Sequence, residues 1–162
     1  MKIAVFPGSF DPITNGHVDL VKRAFPLFDK VILAVGVNSV KKTLFPLDVR
    51  LEWLDRVYGN NRDLEIGHFE GLTVNYCKKV GAKYLLRGLR NASDFDYEKT
   101  ISQLNNIIGD QVETIFFISR PEFSHISSTI VREIIKGGGD SSSLIPPVIT
   151  KADFDRHIGE YG

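Results

Sequence analysis

The feature that most constrains this chain is an alternation between short apolar runs and segments with helical periodicity. Residues 3–6 and 31–37 are apolar runs typical of strands buried on both faces. Between them Val18, Val21 and Phe25 recur at steps of three and four residues, which indicates one face of a helix. The first 37 residues therefore predict a strand, a loop, a helix and a second strand, joined as a right-handed βαβ unit.

The same alternation continues to the fifth strand. Further strands are predicted at residues 64–66, 84–87 and 114–118. Four helices are predicted between and after these strands. One follows Asp48, which is expected to be its N-cap, and one spans residues 74–80 and ends before Gly81. A third contains the apolar stripe with Leu104, and a fourth begins at Ser127 or Ser128. Pro146 and Pro147 are expected to open a last short helix. The pattern predicts one domain over residues 1–162, with an α/β fold built on a five-stranded, parallel, doubly wound, Rossmann-like sheet.

Composition excludes several classes of protein. Lys and Arg total 20 and Asp and Glu total 20, so the chain lacks the basic excess typical of nucleic-acid binding, and we expect no nucleic-acid partner. Cys77 is the single cysteine, which excludes an intrachain disulfide and argues against a multi-cysteine zinc site. No apolar run approaches the roughly 18 residues of a membrane span. We therefore expect a soluble cytoplasmic protein without a membrane partner.

The loop after the first strand is the first candidate site, because open α/β sheets bind ligands beyond the carboxyl ends of their strands. Gly8 permits close approach of a ligand and Ser9 offers a hydroxyl. Gly16 and His17 open the next helix, whose free N–H groups suit a phosphate. The competing interpretation is an ordinary turn, since Asp, Pro, Thr and Asn fill the rest of the loop. The Rossmann glycine pattern and the P-loop are both absent.

Three further clusters lie beyond predicted strands. Lys41 and Lys42 follow the second strand, where Lys41 can reach a phosphate and Lys42 is expected to be solvated. Arg87 and Arg90 flank a glycine at the end of the fourth strand; they can bind phosphate or form ion pairs with the acidic residues that follow. The hydroxyls of residues 127–129 precede a helix, with Arg132 one turn on, and they can bind phosphate or simply cap the helix.

These motifs resemble the nucleotidyltransferase superfamily, in which a (Thr/His)-x-Gly-His sequence is the signature. Here it is Thr14-Asn15-Gly16-His17, preceded by Gly8-Ser9-Phe10-Asp11-Pro12. Three further segments are similar to those of phosphopantetheine adenylyltransferases: Gly71-Leu72-Thr73-Val74, Arg87-Gly88-Leu89-Arg90 with Asp94-Phe95-Asp96-Tyr97-Glu98, and Ile126-Ser127-Ser128-Thr129. The resemblance extends from Lys2 to about Val148.

The resemblance implies the roles of individual residues. His17, Ser9, Lys41 and Arg90 would be catalytic, and 4′-phosphopantetheine would be held by Ser9, Lys41, Thr73 and Arg87. ATP would be bound by Ser9, Phe10, His17, Gly88, Leu89, Arg90, Glu98, Phe123, Ser124, His125, Ile126, Ser127, Ser128 and Thr129, to which Arg132 is added.

The activity implied by the resemblance is transfer of AMP from ATP to 4′-phosphopantetheine, which gives dephospho-coenzyme A and pyrophosphate. It also implies Mg²⁺ on the triphosphate and a homohexamer; no protein-only metal cage is expected. A sibling transferase acting on nicotinamide mononucleotide or a polyol phosphate is the alternative enzyme. A nucleotide-binding module without catalysis is the alternative from another class.

Overall fold

The computed structural model describes residues 1–109 and 112–158; the remaining residues of the predicted domain lie outside the described part. The strands are β1 (Ile3–Gly8), β2 (Lys30–Val37), β3 (Leu64–Glu70), β4 (Tyr84–Leu89) and β5 (Glu113–Ile118). The α-helices are α1 (Asn15–Ala24), α2 (Leu47–Tyr58), α3 (Thr73–Val80), α4 (Ala92–Ile108), α5 (Ser128–Lys136) and α6 (Lys151–Ile158). All strand pairs are parallel, in the order β3-β2-β1-β4-β5, so the predicted α/β fold with a five-stranded parallel sheet is confirmed.

The sheet is covered on both faces, as the alternation of side chains along β1 shows. Ala4 and Phe6 belong to the larger apolar cluster, which also receives side chains from α1, α2, α5 and α6. Val5 points to a smaller cluster with Val74 and Cys77 of α3. Cys77 is fully buried there, as expected for a small core residue.

Two predicted helix starts are wrong. Asp48 does not cap α2, which begins one residue earlier at Leu47 with Pro46 in the N-cap position. Pro46 adopts φ −57° and ψ 158°, and Asp48 therefore falls inside the first turn. The last helix does not open at Pro146 and Pro147 but begins at Lys151, where Asp153 accepts hydrogen bonds from the backbone and hydroxyl of Thr150.

The centre of the sheet opens towards its carboxyl edge. β1 and β4 pair only at Ala4 with Tyr84 and at Val5 with Leu85, whereas β4 and β5 pair along their whole length. Pro7, which has no N–H to donate, lies in the part of β1 that pairs with β2 but not with β4. Because the strand order reverses between β1 and β4, this opening is the crevice in which such sheets bind ligands.

Candidate functional site

A cavity of about 410 Å³ occupies this crevice and gathers most of the predicted site residues. Residues from β1, β4, α1, α5 and the loop after β2 meet there, although they are far apart in the sequence. The predicted site residues that line it are Ser9, His17, Lys41, Arg87, Gly88, Arg90, Glu98, Phe123, Ile126, Ser127, Ser128, Thr129 and Arg132.

Five predicted site residues lie elsewhere. Thr73 lines an adjoining cavity of about 250 Å³, which shares Pro7, Gly8, Arg87 and Glu98 with the first. The other four line neither cavity: Phe10 and Leu89 are buried, while Ser124 and His125 are exposed on the surface turn before α5. Their contact with ATP stays a prediction.

His17 is held by the residue that caps its helix. Thr14 is the N-cap of α1, and its backbone N–H donates to Nδ1 of His17 over 3.0 Å. A backbone N–H can only donate, so Nδ1 must be the unprotonated nitrogen of a neutral imidazole. The ring proton is therefore on Nε2. His17 lines the cavity and so can offer a neutral N–H donor to a ligand there.

The surroundings keep this imidazole neutral. Burial, followed by the positive charges of Arg87 and Arg90, lowers the pKa of His17 from 6.5 to about 4. The ring also packs against Phe10, with centroids 5.0 Å apart. Phe10 itself has φ 45°, a conformation that costs energy for a bulky residue and that its burial against the imidazole helps to maintain. The role of Phe10 in this structure is thus to support His17.

Arg87 crosses the opening between the two central strands. Its Nη1 donates to the carbonyl of Pro7 over 3.0 Å, while Nε and Nη2 form a bidentate pair with the carboxylate of Glu98. Three of its N–H groups are thereby bound among the described residues, and the guanidinium has five. The fixed fork can present the remaining two to an anion, in the geometry that suits a phosphate.

Arg90 is oriented in the same way by Asp94. The Asp94 carboxylate accepts from Nε of Arg90 over 3.0 Å and from the Arg90 backbone N–H over 2.9 Å. Asn91 caps α4 and in turn accepts from the backbone N–H of Asp94. Both arginines therefore form the ion pairs that the sequence analysis gave as one of two possibilities, Arg87 with Glu98 and Arg90 with Asp94. These pairs orient the two guanidinium groups around the cavity.

The N-terminus of α5 forms the opposite wall. Ser127 is the N-cap and accepts from the backbone N–H of Ile130 over 3.2 Å. The hydroxyl of Ser128 donates to the carbonyl of Pro12, and Arg132 donates to the carbonyl of Asp11, each over 2.8 Å. The hydroxyls thus cap the helix and also hold its N-terminus against the first loop. Two helix N-termini, of α1 and α5, consequently border one cavity.

Within the described part of the chain, the cavity is strongly cationic although the whole chain is neutral. Lys41, Arg87, Arg90 and Arg132 line it, against the carboxylates of Asp94 and Glu98, which are already paired. Such an excess of positive charge, next to two helix N-termini, favours a polyphosphate ligand.

Sequence analysis placed Thr14 and Asp94 inside family-like motifs but assigned neither of them a role in the site. Asp94 was also one of the acidic residues expected as possible ion-pair partners of Arg87 and Arg90. Thr14 could have been found from its spacing, because a threonine three residues before a polar side chain at a helix start is the pattern of a capping box.

Comparisons with known proteins agree with this geometry. The cytidylyltransferase-like family model matches residues 5–134. A phosphopantetheine adenylyltransferase from Flavobacterium psychrophilum is 46% identical over 149 residues, covering 92% of this chain and 98% of its own. Proteins of the same name from Limosilactobacillus reuteri and Leptospira biflexa are 45% and 46% identical, covering 94% and 93% of this chain and 88% and 94% of their own. In residues 1–109 and 112–158, no helix combines the length and the apolar character needed to cross a membrane.

Proposed function

The chain belongs to the phosphopantetheine adenylyltransferase family, a group of nucleotidyltransferases, and we propose that it transfers AMP from ATP to 4′-phosphopantetheine in coenzyme A biosynthesis. The products are dephospho-coenzyme A and pyrophosphate. The observation that carries this proposal is the cavity in which Lys41 and Arg87 lie with His17 and the N-termini of α1 and α5. The acceptor phosphate and the triphosphate of ATP are both anionic and need positively charged partners. The cavity supplies these from separate elements, with Lys41 after β2, Arg87 on β4 and Arg132 on α5.

The acceptor needs alignment more than activation. Its phosphate is already ionised near neutral pH, so no strong base has to remove a proton before attack. Lys41 and Arg87 hold the acceptor phosphate, and one of its oxygens attacks the α-phosphorus of ATP in line. The new bond joins that oxygen to the α-phosphorus, while the bond from the α-phosphorus to the bridging oxygen breaks and releases pyrophosphate.

His17 and Ser9 act on the α-phosphoryl group. The neutral Nε2–H of His17 donates to a non-bridging oxygen as its charge changes in the transition state. Because the donor is neutral and held by Thr14, it needs no proton transfer and little reorganisation. Arg90 and the N-terminus of α5, with Ser128, receive the β- and γ-phosphates that depart.

The adjoining cavity supports a pantetheine-bearing acceptor over a smaller phosphate ester. Its lining combines apolar side chains such as Phe69, Leu85 and Ile101 with a few polar groups, including Thr73 and Asn105. It meets the main cavity at Arg87. A chain with amide groups on an apolar stem fits this composition, with its phosphate at the junction.

Magnesium is proposed as the cofactor. The described residues contain no group of three or more His, Cys, Asp or Glu side chains that could hold a metal ion. Magnesium is therefore proposed on family grounds alone, as an ion that nucleotide sites commonly bind together with the phosphates of the substrate. Mg²⁺ bound with the nucleotide would neutralise part of the triphosphate charge. Arg90, Arg132 and the N-terminus of α5 would receive the resulting complex.

A homohexamer in the cytoplasm is also proposed, on family grounds. Ile107 is 78% exposed on α4, and Leu104 and Ile108 of the same helix are more than half exposed. Apolar side chains of this size on one helix support self-association through α4. Light scattering behind a sizing column tests the hexamer, which predicts a mass six times that of the chain.

Pyrophosphate release tests the activity. Purified protein is assayed with ATP, Mg²⁺ and either 4′-phosphopantetheine, nicotinamide mononucleotide or glycerol 3-phosphate, and with CTP in place of ATP. The proposal predicts release only with ATP and 4′-phosphopantetheine. His17→Ala should lower kcat by about 10²- to 10³-fold, as expected when one transition-state hydrogen-bond donor is lost. His68→Ala, which removes an exposed histidine on β3, is the matched control.

Release with another pair would assign the chain to a sibling activity. ATP binding without release for any acceptor would indicate a non-catalytic nucleotide-binding module.

A further inference from the structure

Asp11 is a buried carboxylate that connects two loops of the site. It is 3% exposed, and it follows β1 in the loop that carries Ser9. Its two oxygens accept from the backbone N–H groups of Leu44 and Phe45, each over 2.9 Å. Those residues end the loop after β2, which carries Lys41. The carboxylate therefore serves as an anchor for backbone on the neighbouring loop.

Arg50 connects the same two loops from the other side. It is 4% exposed and lies in the first turn and a half of α2. Its Nη1 donates to the carbonyl of Ser9 over 2.7 Å, and its Nε donates to the carbonyl of Phe45 over 3.0 Å. Asp11 and Arg50 together fix the backbone of the Ser9 loop relative to residues 44–45.

Lys41 lies three residues before the first anchored N–H group. A lysine is a point charge on a flexible stem, so the position of its ammonium depends on where its backbone is held. Val40, its neighbour, is 91% exposed, and within the described chain the hydrogen bonds of residues 38–41 are local to that turn. The anchor at residues 44–45 is therefore the nearest fixed point for Lys41 on its C-terminal side.

We infer that Asp11 is a positioning residue that sets Lys41 for the acceptor phosphate, and that it acts on the reaction through Lys41. This inference rests on the proposed function, because it assigns Lys41 to the acceptor. In-line attack requires the acceptor phosphate to be held at a fixed place relative to Ser9 and His17. The hydrogen bonds of Asp11 to residues 44–45 hold the loop that carries Lys41 in a fixed position relative to the loop that carries Ser9. Asp11→Asn breaks it, because an amide NH₂ would face one of the two N–H groups and could not accept from it.

The test is a double-mutant cycle on ligand binding. Calorimetry measures the affinity for 4′-phosphopantetheine and for pantetheine, which lacks the phosphate, in wild type, Asp11→Asn, Lys41→Ala and the double variant. Lys41→Ala should weaken 4′-phosphopantetheine binding by about 10- to 100-fold, the range for a charged hydrogen bond. Asp11→Asn should weaken it by about 10-fold, and should add less than about threefold in the Lys41→Ala background.

Pantetheine affinity should be unchanged in all variants, since Lys41 has no phosphate to bind. Asp48→Asn, an exposed carboxylate in the first turn of α2, removes the same charge without the anchor and should bind like wild type. The inference is overturned if Asp11→Asn binds like wild type, if its effect persists in full in the Lys41→Ala background, or if pantetheine binding falls equally.

A second variant allows the same test if Asp11→Asn does not fold. Arg50→Lys keeps the charge but loses the fork that spans the two loops, and it should show the same phosphate-selective loss. The same cycle is then run with Arg50→Lys, and equal loss of both ligands would contradict the inference. Failure of the proposed function is separate: it would be seen as wild-type protein that releases no pyrophosphate with 4′-phosphopantetheine.

Discussion

Replacing His17 should remove a pH-dependent loss of stability. In the folded protein the pKa of His17 is lowered from 6.5 to about 4, chiefly by burial and then by Arg87 and Arg90. As pH falls from 7 to 5, the unfolded chain takes up a proton on this imidazole and the folded protein does not. Stability must therefore fall with pH in this window, and His17→Gln, which cannot titrate, should lack this component.

The size of the effect follows from the two pKa values. The whole lowering, from 6.5 to about 4, corresponds to about 3 kcal/mol of folding free energy, fully lost only below pH 4. Between pH 7 and pH 5 the loss attributable to His17 is about 2 kcal/mol. All other titrating groups are common to wild type and His17→Gln. The contributions of those that do not interact with His17 to the pH dependence of stability therefore cancel in the comparison.

Urea denaturation at pH 7 and pH 5, at one protein concentration, measures the difference. Between pH 7 and pH 5, the free energy of unfolding of His17→Gln should rise by about 2 kcal/mol relative to that of wild type. His68→Gln, which removes an exposed histidine outside the site, is measured alongside as the control for losing an imidazole. A relative gain of less than about 0.5 kcal/mol for His17→Gln would refute the argument that the folded protein keeps this imidazole neutral.

Three further predictions concern charged side chains. Lys41→Ala should raise the KM for 4′-phosphopantetheine by about 10-fold or more in steady-state assays, and Lys42→Ala should change it less than twofold, since Lys42 lies outside the cavity lining; equal effects would contradict the assignment. Glu98→Gln should raise the KM for 4′-phosphopantetheine by about 10-fold, because the guanidinium of Arg87 loses its bidentate charged partner. An unchanged KM would show that the Arg87–Glu98 pair is not needed for binding the acceptor. Asp153→Asn should cost about 2 kcal/mol at pH 7 by urea denaturation, because it loses a charged pair with Arg56 and the cap of α6. The hydrogen bond from Arg56 holds the pKa of Asp153 well below its usual range, so this cost should shrink progressively as pH falls below about 4, and a cost no smaller at about pH 2 than at pH 7 would refute it.

The order of strands and helices was predictable because it depends on local periodicity. The apolar runs of the inner strands β1 and β2 are buried on both faces of the sheet, and the helical stripes of α1, α2, α3 and α5 each have one face towards the core. Helix starts were less predictable, because they depend on which residue caps the backbone. Asp48 has the chemistry of a cap, but the backbone at Pro46 places the start of α2 before it. For α6 the sequence did contain a usable signal, since Thr150 and Asp153 have the spacing of a capping box.

The site was predictable to the extent that it lies at the ends of strands. Ser9 and Lys41 follow strands and Arg87 lies near the end of one, and the carboxyl ends of these strands meet at one edge, so parallel topology brings the three residues together. Their fixed orientation was not predictable, because each partner belongs to a different element. Arg87 and Glu98 are 11 residues apart and meet only because α4 packs beside β4.

The pairing of Asp11 with Leu44 and Phe45 was beyond sequence reasoning for a related reason. The two segments are 33 and 34 residues apart, and the contact is to backbone N–H groups, which any residue supplies. No residue type at positions 44 and 45 signals it. Only the placement of β2 beside β1 brings the loop after each strand into contact.

The most direct measurement is the identity of the product. Purified protein is incubated with ATP, Mg²⁺ and 4′-phosphopantetheine, and the mixture is resolved by liquid chromatography and mass spectrometry. The proposed activity predicts dephospho-coenzyme A and pyrophosphate in equal amounts, with neither formed when the acceptor is omitted. Absence of dephospho-coenzyme A, together with formation of an adenylylated product from nicotinamide mononucleotide, would contradict it.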